Sequence, residues 1–368
     1  MMQKPINLLA AAFTALLLIN GGDAQAQSAA KWQSLFNGKD FSGWGTYLVP
    51  SKSAADQTPI GLNKDPHGVF KVTDGMIHVS GQDWGGVFTD KSYSNYHLRY
   101  QVKFGTKKWP PRENAVADGG LLFHCSLPYD YGSKCWMRSI EMQIQETDIG
   151  DYHNVGAGVP LLAFSPSKDD TDDVNQYDPF APLRPTDKRV FRSGNFESRP
   201  DDWTTGELVA RGADAVFIVN GFVVNRLYNI YRADLQQQTT SGQIQFQSEG
   251  AEHFLKDIEL RPIQFQQKGE PRLVSTRQDI QISEKGAQTI EVENKGEEVE
   301  LIAAELIGKE LEQFDVKLPK FPLTLKRGEK LRIPVQARTG STSGNQVKFR
   351  LETVLGPVND FAVNLRVQ

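Results

Sequence analysis

Apolar and polar residues alternate along much of this chain, most cleanly in Ser139-Ile140-Glu141-Met142-Gln143-Ile144-Gln145-Glu146. Ile140, Met142 and Ile144 share one parity; Glu141, Gln143 and Gln145 share the other. A period of two belongs to a β-strand with one face in a core and the other outside it. Similar runs recur at 70–72, 76–80, 96–104, 119–125, 207–211, 215–219, 222–225, 243–247 and 254–261. Asn220-Gly221, between two apolar runs, predicts a hairpin whose turn needs two residues tolerant of positive φ. No segment carries a sustained apolar stripe at helical spacing. Many short strands joined by turns predict a two-sheet sandwich or jelly roll.

Two stretches break the rhythm. Between Asp151 and Trp203 the chain is rich in Gly, Pro and Asp and loses its period; irregular segments that long are uncommon and often functional. Within it, Asp169-Asp170-Thr171-Asp172-Asp173 offers carboxylates of the kind calcium favours. The run lacks the spacing and glycine of a calcium loop and reads as a solvated acidic loop. The second break, 264–271, reads as a linker. Beyond it, alternating runs at 289–293, 298–303, 330–335, 346–353 and 361–367 are separated by Lys-Gly and Arg-Gly turns. A unit of roughly 95 residues built of short strands has the size of an immunoglobulin-like sandwich. Residues 272–368 contain no His or Cys, and a structural or docking role is expected for them.

Length and charge add limits. A chain of 368 residues is expected to hold two folded units. The net charge of -4 and the lack of a Lys/Arg run argue against nucleic acid or an anionic membrane surface as partner. Lys4, an apolar run over 6–19 and Ala24-Gln25-Ala26 read as a secretory signal peptide, residues 1–26, too short to span a membrane. With no Cys near the cleavage point for a lipid, the mature protein is expected to be periplasmic or secreted. In that oxidising setting Cys125 and Cys135, flanking a turn-rich segment, are expected to form a disulfide worth roughly 2–3 kcal/mol. Two Cys alone fall short of a structural zinc site.

Sorting the strands by parity exposes the candidate chemistry. Run 96–104 presents His97, Arg99, Gln101 and Lys103. Run 119–125 presents His124 opposite Leu121, Phe123 and Cys125. Run 139–145 presents Glu141, Gln143 and Gln145, and run 243–247 presents Gln243, Gln245 and Gln247, with Glu249 just beyond. Such a set suits the hydrogen bonding of many hydroxyls; an ordinary solvated sheet face is the alternative. His124 with Glu141 makes a candidate general acid–base pair, against the plainer reading of a hydrogen-bonded surface His. His153 follows Gly150-Asp151-Tyr152, where a cleft rim is expected. A retaining glycosidase needs two carboxyl groups about 5–5.5 Å apart; Glu141 can supply one, and Glu146, Asp151 or Glu249 the other. No GxSxG elbow, phosphate loop or HExxH helix is present.

Leu35-Phe36-Asn37-Gly38-Lys39-Asp40 with Gly43-Trp44 resembles the opening of the 3-keto-disaccharide hydrolase domain family. The resemblance runs through Gly119–His124, Ser139–Gln143, Gly150-Asp151, Val219-Asn220-Gly221, Asn225-Arg226 and Ser241–Ile244, and closes with Gln247-Ser248-Glu249-Gly250-Ala251-Glu252. It spans residues 31–263 and implies a concanavalin A-like jelly roll, giving an all-β protein with the immunoglobulin-like sandwich behind it. The implied activity is cleavage of glycosides already oxidised to a ketone at C3. That ketone acidifies the C2 proton, so a base, an acid and a stabiliser for the enolate oxygen suffice; a divalent metal is an open option for the stabiliser. The resemblance carries His124, Glu141 and Gln143 into the site, with Arg99, Glu146, Asp151 and Glu249 around them. His124 or Glu141 would be the base and Arg99 the stabiliser. Gln145, His153 and Gln247 complete the expected substrate-binding set. The rival readings are a conventional glycoside hydrolase and a non-catalytic glycan-binding jelly roll, in which Trp32, Trp84, Trp109, Trp136 and Trp203 could stack on sugars.

Overall fold

The alternating runs pair edge to edge into two antiparallel sheets that face each other. One, the site sheet, runs Gly61–Leu62, Trp44–Val49, Trp84–Thr89, Gln243–Ser248, Gly120–Ser126, Arg138–Gln143 and Tyr152–Val155. The other, the back sheet, runs Phe70–Thr73, Met76–Val79, Ala251–Pro262, Tyr96–Lys108, Thr204–Arg211, Asp214–Val219 and Phe222–Arg232. The chain alternates between them, as a jelly roll does. This computed structural model describes residues 31–155, 161–169, 175–186, 189–263, 265, 269–284, 286–358 and 361–368. The expected signal peptide, residues 170–173 of the acidic run and residues 264 and 266–268 of the linker lie outside the described residues.

The core fills the space between the sheets. Leu121, Phe123, Ile140, Met142 and Phe246 come from the site sheet and Leu98, Tyr100, Val102, Leu208 and Phe217 from the back sheet. The Tyr100 ring meets Phe246 edge-on at 5.4 Å. The Asn220-Gly221 hairpin forms as expected, with φ of 47° and 82°. Two strands that periodicity does not pick out, Trp44–Val49 and Trp84–Thr89, contain Gly45, Gly85 and Gly86. At Gly85, φ is 147° and an added Cβ would sit 2.0 Å from the Tyr47 carbonyl oxygen, so close strand packing excludes a side chain.

The segment after Asp151 is more regular than expected. It folds into short strands at Tyr152–Val155, Leu161–Asp169, Asn175–Tyr177, Leu183–Thr186 and Val190–Phe191, tied to the end of Phe222–Arg232.

Residues beyond the linker have their own apolar cluster, including Ile290, Val292, Ile333, Val335, Phe349 and Leu365. Four of their strands, Leu273–Ser275, Ala287–Asn294, Lys330–Ala337 and Phe314–Val316, pair in one sheet. Asp279–Ile282, Val363–Val367, Gln346–Thr353 and Ala303–Gly308 pair in another. This unit covers part of the outer face of the back sheet, where Val209, Val216, Ile218 and Val223 pack with Ile302 and Ala303. Among the described residues the only helical element is the 3-10 turn Leu311–Gln313, and no helix is long and apolar enough to cross a membrane.

Phe246 is fully buried and joins the two sheets. Phe246→Ala is expected to destabilise the protein by about 3–5 kcal/mol, read as a lower urea midpoint at unchanged slope.

Candidate active site

The outer face of the site sheet has a floor of small residues. An added Cβ at Gly120 would lie 2.3 Å from both Gln247 Oε1 and Glu141 Oε1, and one at Gly86 would lie 2.5 Å from Gln245 Nε2. Longer neighbours fold down over these glycines. Gln245, Gln247, Glu141 and Gln143 are all buried although they point away from the core.

Asp118 organises the polar end of this face. It sits two residues before Gly120 and accepts from the Gly119 N–H at 2.9 Å, Gln143 Nε2 at 3.1 Å and Gln145 Nε2 at 2.7 Å. Arg112 pairs with it at 2.5 Å and reaches Glu249 at 3.7 Å. Burial pushes the Asp118 carboxyl up, while Arg112 and the amide donors pull it back. Glu249 is driven up to about 8 by burial and by the Asp118 charge, against the pull of Arg112 and Lys52. Glu141 is pushed well above the ordinary carboxylate range by burial, then by Glu249 and Asp118, with Arg189 opposing. Like charges confined together in this way cannot all ionise, so part of the set stays protonated near neutral pH.

His153 stands directly across from Glu141 in the neighbouring strand, a position that puts the two side chains on one face about 4.5–5.5 Å apart at Cβ. Burial and the nearby Arg189 hold its pKa down at about 4, so the ring is neutral. Its Nε2 is buried without a hydrogen-bond partner. At the other end of the face, Trp84 and Trp136 stack with ring centroids 5.7 Å apart. Lys52 Nζ lies 4.0 Å above the Trp84 ring.

The structure thus brings Glu141, Gln143, Gln145, Gln247, Glu249 and His153 together. It places the remaining candidates elsewhere. His124 is fully buried and lies at a β-bulge, with φ of 53°, where pairing slips between Phe123 and Ser126. The bulge breaks the alternation: Cys125, not His124, joins the outer-face cluster with Trp84 and Leu122, and the His124 ring rests 5.0 Å from Phe123. Burial lowers its pKa to about 4, partly offset by the Gly212 backbone of the back sheet. Arg99 belongs to the back sheet, facing away from the site; it binds Glu259 at 2.7 Å and lies over Trp32. Asp151 is fully buried and committed to Arg189 at 2.7 Å and to the Arg192 N–H and guanidinium at 2.9 and 3.0 Å. Glu146, past the strand end, accepts from the Ala117 N–H at 3.4 Å at the rim. Cys125 and Cys135 are free rather than bonded. They share one apolar cluster, but Cys125 turns to Ser139 while Cys135 lies near Glu249 and Lys52, and burial raises both thiols.

Sequence reasoning missed Asp118, Arg112, Arg189 and Lys52. Asp118 shares the parity of Gly120 and was reachable by extending that strand backwards. The cations sit in connecting segments with no period to mark them. Among the described residues, no cluster of three or more His, Cys, Asp or Glu side chains is arranged to hold a metal ion.

Residues 31–261, well over half of the chain, match the 3-keto-alpha-glucoside-1,2-lyase-like domain. The chain belongs to that family. The lyase-like domain is therefore a carbohydrate-active, hydrolase-like unit on an all-β jelly-roll fold. The comparison with curated proteins finds no match. Similar solved structures include two provisionally named glycosyl hydrolases of Parabacteroides distasonis ATCC 8503. They are 16% and 15% identical, with TM-scores of 0.36 and 0.37, covering 63% of this chain and 94% and 100% of their own. Another is the carbohydrate binding module CBM66 from Bacillus subtilis, at 8% identity and a TM-score of 0.31, covering 60% of this chain and 95% of its own.

The coupling within the lyase-like site is directly testable. Asp118→Asn removes a charge that raises Glu249 and frees Arg112 to lower it. Glu249 is expected to titrate well below its value of about 8, followed by carboxyl carbon-13 NMR; an unchanged midpoint would break the proposed coupling.

Proposed function

We propose that this protein cleaves 3-keto-glycosides by elimination across C1 and C2 followed by hydration. One observation carries the reading: Glu141 and Glu249 lie on the same face of the site sheet, where burial first and neighbouring carboxylates second raise both above the ordinary carboxylate range. One of the pair can then serve as base and the other as acid.

In this scheme the ionised Glu141 takes the C2 proton, and the electrons of that C–H bond move into an enolate whose negative charge rests on the C3 oxygen. A raised pKa makes Glu141 a stronger base once ionised. His153, neutral and with Nε2 open, shares the proton that Glu141 gains. The enolate then collapses: C3=O re-forms, C1=C2 appears, and the C1–O bond breaks with its electron pair leaving on the glycosidic oxygen. Glu249 donates its proton to that oxygen and releases the alcohol. Water adds to the enone at C1 and gives its released proton to Glu249, while Glu141, its proton exchanged with solvent, protonates C2 to give the free 3-keto sugar. Gln143, Gln145 and Gln247 bind the sugar hydroxyls, and Lys52, with no ion pair among the described residues, is the cation free to stabilise the enolate oxygen. The leader sequence supports export to the periplasm or beyond, and the C-terminal unit is read as an immunoglobulin-like sandwich.

The amides Gln143, Gln145 and Gln247 on one sheet face support a second reading, a glycan-binding face without catalysis; Trp84 and Trp136 are buried against each other and take no part in it. Incubation with a 3-keto disaccharide and with its unoxidised parent separates the two. Cleavage of the keto sugar alone, with solvent deuterium appearing at C2, is the expected result. Saturable glycan binding without cleavage of either would sink the catalytic reading, and cleavage of the parent without deuterium uptake would point to conventional glycoside hydrolysis.

Glu141→Gln is expected to lower kcat about 10²–10⁴-fold with little change in KM. In the unaltered protein the pH–rate profile should be bell-shaped. The reaction needs one carboxyl ionised and the other protonated, and because burial raises both Glu141 and Glu249 the profile should be displaced above the ordinary carboxylate range.

A further inference from the structure

A second group of buried charges takes no part in this scheme. Arg226 lies in the strand Phe222–Arg232 and is buried under the C-terminal unit. Its guanidinium donates to both oxygens of Glu352, at 2.8 and 2.7 Å, and reaches Glu305 at 3.4 Å. Its Nε donates to the Tyr177 hydroxyl at 2.9 Å, and that hydroxyl donates to Glu305 at 2.6 Å. Arg350 closes the cluster on Glu305. Two arginines balance two glutamates, and three of these four groups are buried. Such clusters are weak evidence of stability because desolvation offsets the attraction. What they do well is fix geometry.

The neighbouring residue shows which geometry is fixed. Asn225, fully buried, donates to the Val190 carbonyl at 3.0 Å and to the Gly150 carbonyl at 3.5 Å. Gly150 precedes Asp151. Val190 follows Arg189 and pairs with Tyr152, the residue before His153. Tyr177 supplies a second arm, because the strand Asn175–Tyr177 runs parallel to Val190–Phe191 with Asn175 opposite Val190. Both arms therefore converge on Val190. Asn225 and Arg226 lie within the family-matched region, whereas the carboxylates that neutralise Arg226 lie outside it. A jelly roll alone would leave that guanidinium without its charge partners.

We infer that Asn225-Arg226 is a connector that makes the C-terminal unit a positioning element of the active site. The Glu305–Glu352 pair fixes Arg226 and Tyr177, and these, through Asn225 and Val190, hold Arg189 and His153 against Glu141. The inference rests on the assignment of Glu141 and His153 to the active site.

The test uses the full-length protein and two variants, Tyr177→Phe and Asn225→Ala. Amide hydrogen exchange reports on the strands Tyr152–Val155 and Val190–Phe191, and proton NMR titration reports on His153, its resonance identified with His153→Gln. In both variants exchange over Tyr152–Val155 and Val190–Phe191 is expected to rise tenfold or more. The His153 midpoint should climb from about 4 toward 6.5 as the ring gains water and separates from Arg189. Asn225→Ala should leave exchange over Ala303–Gly308 and Gln346–Thr353 unchanged. Where 3-keto disaccharide is turned over, kcat should fall about tenfold with KM within twofold. A response confined to the C-terminal strands, or an unmoved His153 in both variants, overturns the inference. The exchange and titration readouts need no substrate, so loss of the catalytic reading alone would leave them intact. Should Asn225→Ala not fold, Asn225→Ser carries the same test.

Discussion

Three carboxylates, Asp118, Glu141 and Glu249, are confined to one face of one sheet, and the rest of the site follows from how that charge is accommodated. Asp118 is met by Arg112 and three neutral donors. Glu249 has only a longer contact to Arg112, and Glu141 has Arg189 as its opposing charge. Pairing is thus graded: most complete at Asp118, weaker at the two glutamates. A carboxylate without a close partner in a buried setting keeps its proton, and that gradient separates a fixed anchor from two exchangeable groups. The amides Gln143, Gln145, Gln245 and Gln247 extend the pattern, since they add hydrogen-bonding capacity to the face without adding charge.

The back sheet handles its polar groups in the opposite way. His97 binds Glu207 at 2.8 Å, Arg261 binds Glu300 at 2.9 and 2.6 Å, and Arg226 binds Glu352. Each of these three groups has a close partner, and two of those partners come from the C-terminal unit. Completed pairs hold two bodies in register; incompletely paired groups are available to a ligand. The same residue types therefore serve as seam on one face and as candidate chemistry on the other, and only the assignment of strands to sheets distinguishes them.

That distinction explains how far the sequence could be read. Periodicity located ten of the fourteen strands in the two facing sheets and put Glu141, Gln143, Gln247 and Glu249 on a polar parity, because alternation is a local property. It could not say which sheet a strand joins, so Arg99 appeared equivalent to Gln143 although the two face opposite sides of the sandwich. It also assumed unbroken alternation. At His124 the backbone enters the left-handed region and the strand bulges, which turns that ring toward the back sheet. The histidine beside Glu141 is His153 instead, brought there by cross-strand pairing that no local pattern encodes.

The remaining blind spots coincide with the glycines that long polar side chains cover. Gly85-Gly86 weakens the strand signal because glycine has little β propensity and no side chain to pack. Yet at Gly86 and Gly120 a single methyl group would collide with Gln245, Gln247 or Glu141. Local propensity is given up where a long polar side chain must lie flat over the sheet, and the stability is recovered in the core beneath, where Leu121, Phe123 and Phe246 are fully buried. Sequence rules fail here for a physical reason: the chain departs from the best strand former at the positions where a good strand former would fill the site.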